Sequence, residues 1–383
     1  MSDLIPAARY GERLAAARTA LNERGAAALL VGVGPQLRWL TGYAAMPLER
    51  LTMLVLPVDG PATLIVPRLE RDPAGRAPAS AAGLLAIETW GETDDPTLAV
   101  AAALPTDADR GRLLLSDHLW ALHTLRLQER FPGASFGLAT EALRDLRAVK
   151  DADEIALLRA AGAAADEVMD AVVAGRLVGR AEADVAREIR ERLIDAGHEQ
   201  ADFAIVGSGP NSASPHHEAS DRVIAAGEAL VLDLGGVRAG YCSDTTRTAW
   251  VTGGDPALGP SPEFRGLYDV LQRSQAEATA AVRPGVPCQG IDAVARAIIA
   301  RAGWGDRFIH RTGHGIGLEV HEEPYIVAGN AEPLRVGHAF SIEPGIYIEG
   351  RYGARIEDIV VCAETGADAM NRTSRDLRVV AGI

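Results

Sequence analysis

Two stretches of this chain read as β-hairpins that bring acids together in pairs, and few folds tolerate such pairs. In VLDLGGVRAGYCSD, residues 231–244, Asp233 ends one apolar strand pattern and Asp244 lies in the next. The intervening GGVRAG supplies the glycines of a tight turn. A turn centred between Arg238 and Ala239 sets the two aspartates directly opposite, with Cβ atoms about 4.5–5.5 Å apart. SIEPGIYIEGRYGARIED, residues 341–358, repeats the device: a turn centred on Gly350 opposes Glu343 to Glu357. Four buried acids facing one another repel, and without cations some must protonate. Two divalent ions roughly 3.5–4 Å apart would neutralise them.

HRTGHGIGLEVHEEP, residues 310–324, adds three of the chain's nine histidines, His310, His314 and His321. Gly313, Gly315 and Gly317 surround the middle one, which suggests a flexible segment whose backbone comes close to the metal pair. His314 would then place a ring nitrogen about 2.0–2.2 Å from an ion. The expected ligands are Asp233, Asp244, His314, Glu343 and Glu357. Such a set, hard oxygen with one imidazole, favours manganese, cobalt or zinc over copper or an iron–sulfur centre, with Mn²⁺ the best match. Residues two apart on a strand share a face. Thr246 and Thr248 therefore accompany Asp244. Arg355 accompanies Glu357, placed to hold a ligand carboxylate.

The net charge of −14 argues against a nucleic-acid partner, since phosphates reward basic patches. Lys150 is the only lysine, which reads as a compositional bias towards arginine. Cys242, Cys288 and Cys362 are too few and too scattered for a disulfide framework. The N-terminus has no apolar signal core behind a basic start. No apolar run approaches the roughly 18–20 residues of a membrane span. A cytoplasmic, soluble protein is expected.

At 383 residues, two domains are expected. The first half alternates helix and strand patterns. YGERLAAARTALNERG reads as a helix stopped by Gly25, AAALLVGVG as a buried strand, and LTMLVLPVDGPATLIVP as two strands joined at Asp59-Gly60-Pro61. RLLLSD (112–117) is a further strand. This is an α/β pattern ending near residue 145. One long helix is expected from 141 to Gly175, and a second closed by Gly197. Beyond 200, AGEALVLDLGG, YCSDTTRTAWV, AFSIEPGIYI and ARIEDIVVC read as strands. SPEFRGLYDVLQRSQAEATAAVRPG and CQGIDAVARAIIARAG read as helices between them, giving α+β.

With these residues in order, the chain resembles the pita-bread metallopeptidases. The resemblance rests on DLGGVRAGYCSDTTRT, GHGIGLEVHEEP, IEPGIYI and RIED, and more weakly on LRWLTGY at 37–43. Within that superfamily it is most similar to prolidase (Xaa-Pro dipeptidase) and aminopeptidase P. The resemblance implies a creatinase-type α/β domain at 1–145, serving dimerisation and active-site access. It implies a catalytic pita-bread domain at 146–383 with a dinuclear metal centre, and a homodimer. The substrate it implies is a small peptide with proline after the scissile bond.

It also implies roles. His216, in SPHHEASD, binds substrate near the scissile bond, with His217 the alternative. His321 contacts the peptide carbonyl, Tyr241 and Arg355 support the metal site, and His310 lines the pocket. The implied reaction has a hydroxide bridging two ions as nucleophile and Glu343 carrying a proton to the leaving nitrogen. His216 and His321 would stabilise the oxyanion. One departure stands out. Relatives that prefer dipeptides often carry an arginine, receiving the substrate's carboxylate, where this chain has Tyr325. Arg335 and Arg351 are candidate substitutes; otherwise longer peptides, as for aminopeptidase P, are the substrate. A non-peptidase hydrolase of small C–N bonds on the same fold is the remaining alternative.

Overall fold

A computed structural model describes residues 5–383, apart from the side chain of residue 109. The chain divides into two compact units, Met1–Arg147 and Ala148–Ile383. No described helix is long and apolar enough to cross a membrane.

The N-terminal unit is built on one sheet of β1 (Ala28–Gly32), β2 (Met53–Pro57), β3 (Thr63–Pro67), β4 (Ala86–Trp90), β5 (Arg112–Leu115) and β6 (Ser135–Leu138), in the order β4-β3-β2-β1-β5-β6. β1, β2 and β3 pair antiparallel and the outer strands parallel. The apolar runs of β1, β2 and β3 are buried along their whole length, as strands covered on both faces must be. The edge strands β4 and β6 are half exposed and carry mixed residues, so no clean apolar pattern announced them.

The long helix expected from 141 to Gly175 is two helices, Thr140–Ala148 and Ala152–Val173. Asp151 caps the second: its carboxylate accepts from the Asp153 and Glu154 N–H groups while Glu154 reaches back to the Asp151 N–H. This D-x-x-E capping box outweighs the continuous apolar period. Lys150 sits in the break, its ammonium buried against Glu322 at 2.5 Å.

The strands of the C-terminal unit are β7 (Gln200–Ser208), β8 (Glu228–Arg238), β9 (Tyr241–Val251), β10 (Gly313–Gly315), β11 (Glu322–Ile326), β12 (Ala339–Ile342), β13 (Gly345–Ile348), β14 (Tyr352–Arg355), β15 (Asp358–Ala363), β16 (Gly366–Ala369) and β17 (Arg378–Val380). They form sheets ordered β17-β9-β8-β7 and β11-β10-β12-β15-β16, with β13-β14 as a separate ribbon. Helices Ala152–Val173 and Glu182–Asp195 share a core with β7, β8 and β9. Helices Pro262–Ala280 and Cys288–Arg301 share another with the second sheet and the ribbon.

Both hairpins depart from the simple expectation. The β8–β9 turn is centred between Ala239 and Gly240, since Arg238 pairs with Tyr241. Both central residues have positive φ, 50° and 86°, as the favoured two-residue hairpin turn requires, and glycine adopts this more cheaply than arginine. Asp233 consequently faces Thr246, and Asp244 faces Gly235. Each partner shifts by two residues, so the acids keep their common face and meet diagonally. In the second hairpin the turn is centred on Gly350, but the ladder runs only from Gly345–Arg355 to Ile348–Tyr352. Glu343 and Glu357 both lie at breaks between strands. The Glu343 N–H turns to the Thr312 carbonyl at 2.8 Å and the Glu357 N–H to Thr246 at 3.1 Å. Pro344 has no N–H with which to continue a ladder.

The glycine-rich segment is not flexible either. β10 lies between β11 and β12, and its glycines admit neighbouring backbone, not an ion. A Cβ on Gly313 would stand 1.8 Å from the Ser341 carbonyl oxygen, and one on Gly315 2.3 Å from that of Glu323. Gly313→Ala should therefore destabilise this unit by about 3 kcal/mol. Gly266→Ala, in the exposed face of helix Pro262–Ala280 with open space around it, should stabilise by roughly 0.5–1 kcal/mol. Urea unfolding of the two variants checks the contrast; equal effects would refute it.

Candidate metal centre

Five side chains converge where the two sheets meet. Asp233 and Asp244 project from one face of β8–β9. Glu343 and Glu357 come from the two strand breaks, and His314 from the middle of β10. His314 Nε2 lies 3.3 Å from Glu343 Oε1, 3.6 Å from Asp244 Oδ2 and 4.0 Å from Glu357 Oε1. Donors that share one ion at about 2.1 Å lie roughly 3–4 Å from each other, so this is ligand spacing. The donor atoms of Asp244, His314 and Glu357 all fall within 4.8 Å of one another. Asp233 Oδ1 is buried and accepts no hydrogen bond, a costly state that a cation would relieve.

The electrostatics also fit a cation. Burial and mutual repulsion push Asp244 and Glu357 well above the carboxylate range. Burial raises Asp233 against the pull of Arg355 and carries Glu343 up to about 7. Burial, and then His321, hold His314 down at about 3, a neutral imidazole. Its Nδ1 lies 3.1 Å from the Gly315 carbonyl; donating the proton there leaves the Nε2 lone pair facing the acids. Neutral, oriented imidazole and closely set carboxylates are the chemistry of a divalent-metal site.

Arg355 organises the surroundings. Its guanidinium pairs with Asp233 at 2.6 Å, donates to Thr246 Oγ1 at 3.0 Å, and donates to the Pro215 carbonyl at 3.1 Å and to the Tyr347 hydroxyl at 3.0 Å. The Thr246 hydroxyl donates to Glu357 Oε2 at 2.6 Å. Tyr347 in turn meets His310 Nε2 at 2.9 Å. Tyr347 escaped the sequence reading; a Cβ on Gly345 would stand 2.2 Å from its oxygen, so the glycine of IEPGIYI makes room for the phenol. Arg247 was missed as well. It is fully buried, pairs with Asp358 at 2.6 Å and donates to the Glu357 carbonyl at 2.6 Å, fixing the backbone that carries that carboxylate.

A cavity of about 280 Å³ opens onto the five donors, lined also by Phe203, Ile205, His216, Val320 and His321. His217 does not reach it and binds Glu182 at 2.8 Å instead. Glu182 is fully buried and also accepts from Ser208, Asn211 and Ser220. An acid on an otherwise amphipathic helix was the only hint of this knot, which ties down the loop bearing His216. Burial would raise Glu182, but the hydroxyls of Ser208 and Ser220, with His217, hold it down at about 2.

Tyr241 lies away from the candidate donor cluster. It is on the opposite face of β9 from Asp244, its hydroxyl on Glu154 at 2.8 Å, because strand alternation separates odd from even positions. Neither candidate arginine is at the cavity: Arg351 is clamped by Glu263 at 2.7 Å and Arg335 donates to His338 at 3.1 Å. The arginine near Tyr325 is Arg311, 4.4 Å above its ring.

A convergent carboxylate–histidine cluster on this sheet arrangement defines a divalent-metal hydrolase. Residues 156–364 match Metallopeptidase family M24 and residues 13–149 match the Creatinase/Prolidase N-terminal domain; the chain belongs to the M24 metallopeptidases. It is similar to the probable dipeptidase PepE of Mycobacterium tuberculosis, 46% identical over 97% of this chain and 96% of that one. Among solved structures it resembles dipeptidase PepE from Mycobacterium ulcerans, 47% identical with a TM-score of 0.90 over 98% and 99% of the two chains. It also resembles a prolidase from Thermococcus sibiricus, 33% identical with a TM-score of 0.87 over 97% and 99%.

Two expectations follow. Glu343 is raised from 4.5 to about 7, so the metal-free protein binds more protons folded than unfolded between those values. Its stability should fall as pH rises through that window. The gain in melting temperature on adding Mn²⁺ should therefore be larger at pH 8 than at pH 5, as differential scanning fluorimetry would show. Glu182 has the opposite sign, lowered from 4.5 to about 2, so its contribution is present above 4.5 and lost as pH falls through 2. Glu182→Gln should cost about 1–3 kcal/mol at pH 7, with the gap to wild type closing in acid; a pH-independent gap would refute this.

Proposed function

We propose that this protein hydrolyses the peptide bond preceding proline in Xaa-Pro dipeptides or short peptides. The observation that carries the proposal is the convergence of Asp233, Asp244, His314, Glu343 and Glu357 beside a cavity of about 280 Å³. That space suits a very small ligand and not a folded chain. Those five residues would hold two divalent cations, manganese matching the oxygen-rich set best and cobalt or zinc following. When bound, such ions supply Lewis acidity for activating water and polarising a carbonyl.

The chain's own groups supply the rest. Glu343 lines the cavity with its Oε1 3.3 Å from His314 Nε2; we assign it the transfer of a proton to the leaving nitrogen. Ser341 donates to its Oε1 at 3.0 Å and fixes its orientation. His321 Nδ1 faces a guanidinium donor of Arg311 at 3.4 Å, so its proton resides on Nε2. Burial and Arg311 lower its basicity, and a neutral N–H donor remains for the developing oxyanion. His216 is the second donor, on the loop that Arg355 and Glu182 hold. Phe203, Ile205 and Val320 offer apolar surface for a pyrrolidine ring, and a prolyl nitrogen demands no hydrogen-bond acceptor because it has no hydrogen. By its resemblance to its relatives, the protein is assigned as a cytoplasmic homodimer in which the N-terminal unit serves dimerisation and access.

Proline release from Xaa-Pro dipeptides, assayed with Mn²⁺ and with chelator, tests the reading; equal turnover after complete demetallation, or none on any Xaa-Pro peptide, would sink it. Glu343→Gln should retain the far-ultraviolet circular dichroism spectrum and lose at least about 10³-fold in kcat. Metal content measured on the same samples separates a lost proton carrier from a lost ion.

A further inference from the structure

The chain has a single lysine among its 38 lysine and arginine residues, and that lysine is buried. The side chain of Lys150 is 1% exposed and that of Glu322 9%, with Nζ 2.5 Å from Glu322 Oε1. Both ends of the pair are anchored. The Lys150 N–H donates to the Gly337 carbonyl at 2.9 Å, Val149 bridges to His338, and Asp151 caps the helix that follows. Glu322 opens β11 opposite Gly315 of β10. The pair lies against Gly317, where a Cβ would stand 2.6 Å from Glu322 Oε1 and 3.0 Å from Lys150 Cε. The missing side chain admits ammonium and carboxylate side by side. The Gly317 carbonyl meanwhile accepts from the Cys242 N–H at 2.8 Å, tying the same turn to β9 beside Asp244.

What the pair controls is the residue before Glu322. Successive side chains of an extended strand take opposite faces, so a Glu322 drawn back to Lys150 turns His321 forward. His321 lines the cavity, its ring 3.9 Å from that of His314. The polar contact of that ring among the described residues is the 3.4 Å approach of Arg311 to Nδ1, too long to fix a ring by itself. Desolvation offsets most of the attraction in a buried ion pair, so stability alone does not account for one here. Resting on the hydrolase reading above, we propose that Lys150 is a positioning residue: through Glu322 it sets the direction of His321, and with it the donor that meets the developing oxyanion.

Lys150→Met and Glu322→Gln, compared with wild type on Ala-Pro in the Mn²⁺-loaded protein, should lose about 10- to 100-fold in kcat with KM nearly unchanged. Metal content should equal that of wild type. In a His321→Ala background the same Lys150→Met change should cost under about 2-fold, because the positioned group is already gone. A purely structural lysine costs the same in both backgrounds, and that result overturns the proposal. Lys150→Met alone leaves Glu322 buried without its cation, so a second variant guards against misfolding. Lys150→Met/Glu322→Met should melt at or above the wild-type temperature and still show the kcat loss; full activity in it also overturns the proposal. A measurement without turnover separates this role from the function reading. In ¹⁵N-histidine-labelled protein the His321 ring signals, assigned through His321→Ala, should be single in wild type and broadened or doubled in Lys150→Met. Unchanged His321 signals sink the positioning role whatever the substrate proves to be. Altered signals in a protein inactive on every Xaa-Pro peptide would support the positioning of His321 and reject only the function reading.

Discussion

The buried guanidinium of Arg355 is the contact on which the centre depends. It touches Asp233 directly, Glu357 through Thr246, the loop of His216 through the Pro215 carbonyl, and His310 through Tyr347. Four elements distant in sequence are thereby held in one geometry. Burial alone would drive such a group to lose its charge, and the surrounding Tyr347, Asp233, Glu357 and Glu343 keep it a cation. A buried charge with this many partners gains less in stability than in orientation. Its removal would leave Asp233 and the His216 loop unsupported together.

The backbone does the remaining positioning. Glu343 and Glu357 stand where the chain passes from one sheet to another, so their N–H groups bond to Thr312 and Thr246 and not to each other's strand. A glutamate in mid-strand would be one of an alternating row, whereas one at a crossing is aimed by two sheets at once. β10 is thin for the same reason. Its glycines bring β11 and β12 close enough for His314 to reach acids that arise on three other strands or strand ends.

The sequence made the donors legible because hairpins have a fixed period: two acids on the same face stay on it under a shift of two residues, which is why misplacing the Ala239–Gly240 turn did no harm. The helices after residue 260 and the apolar strands of the N-terminal unit were legible from periodicity alone. What periodicity could not show was contact between residues far apart in the chain. Tyr347, Arg247 and Glu182 matter through partners up to 127 positions away, and each looks ordinary in its own segment. Tyr241 was misjudged for the converse reason, since nearness in sequence to Asp244 says nothing about which face an odd-numbered neighbour takes. Short edge strands such as β4 and β6 are too exposed to carry a pattern.

The imbalance of charge in the cavity has a consequence for how it fills. Against four carboxylates the cavity lining offers a single guanidinium, Arg355, and burial holds the His314 and His321 imidazoles below their usual basicity. An enclosure this anionic draws a divalent cation in by charge before coordination geometry selects among ions, and the attraction is strong because so little water stands between the charges to screen it.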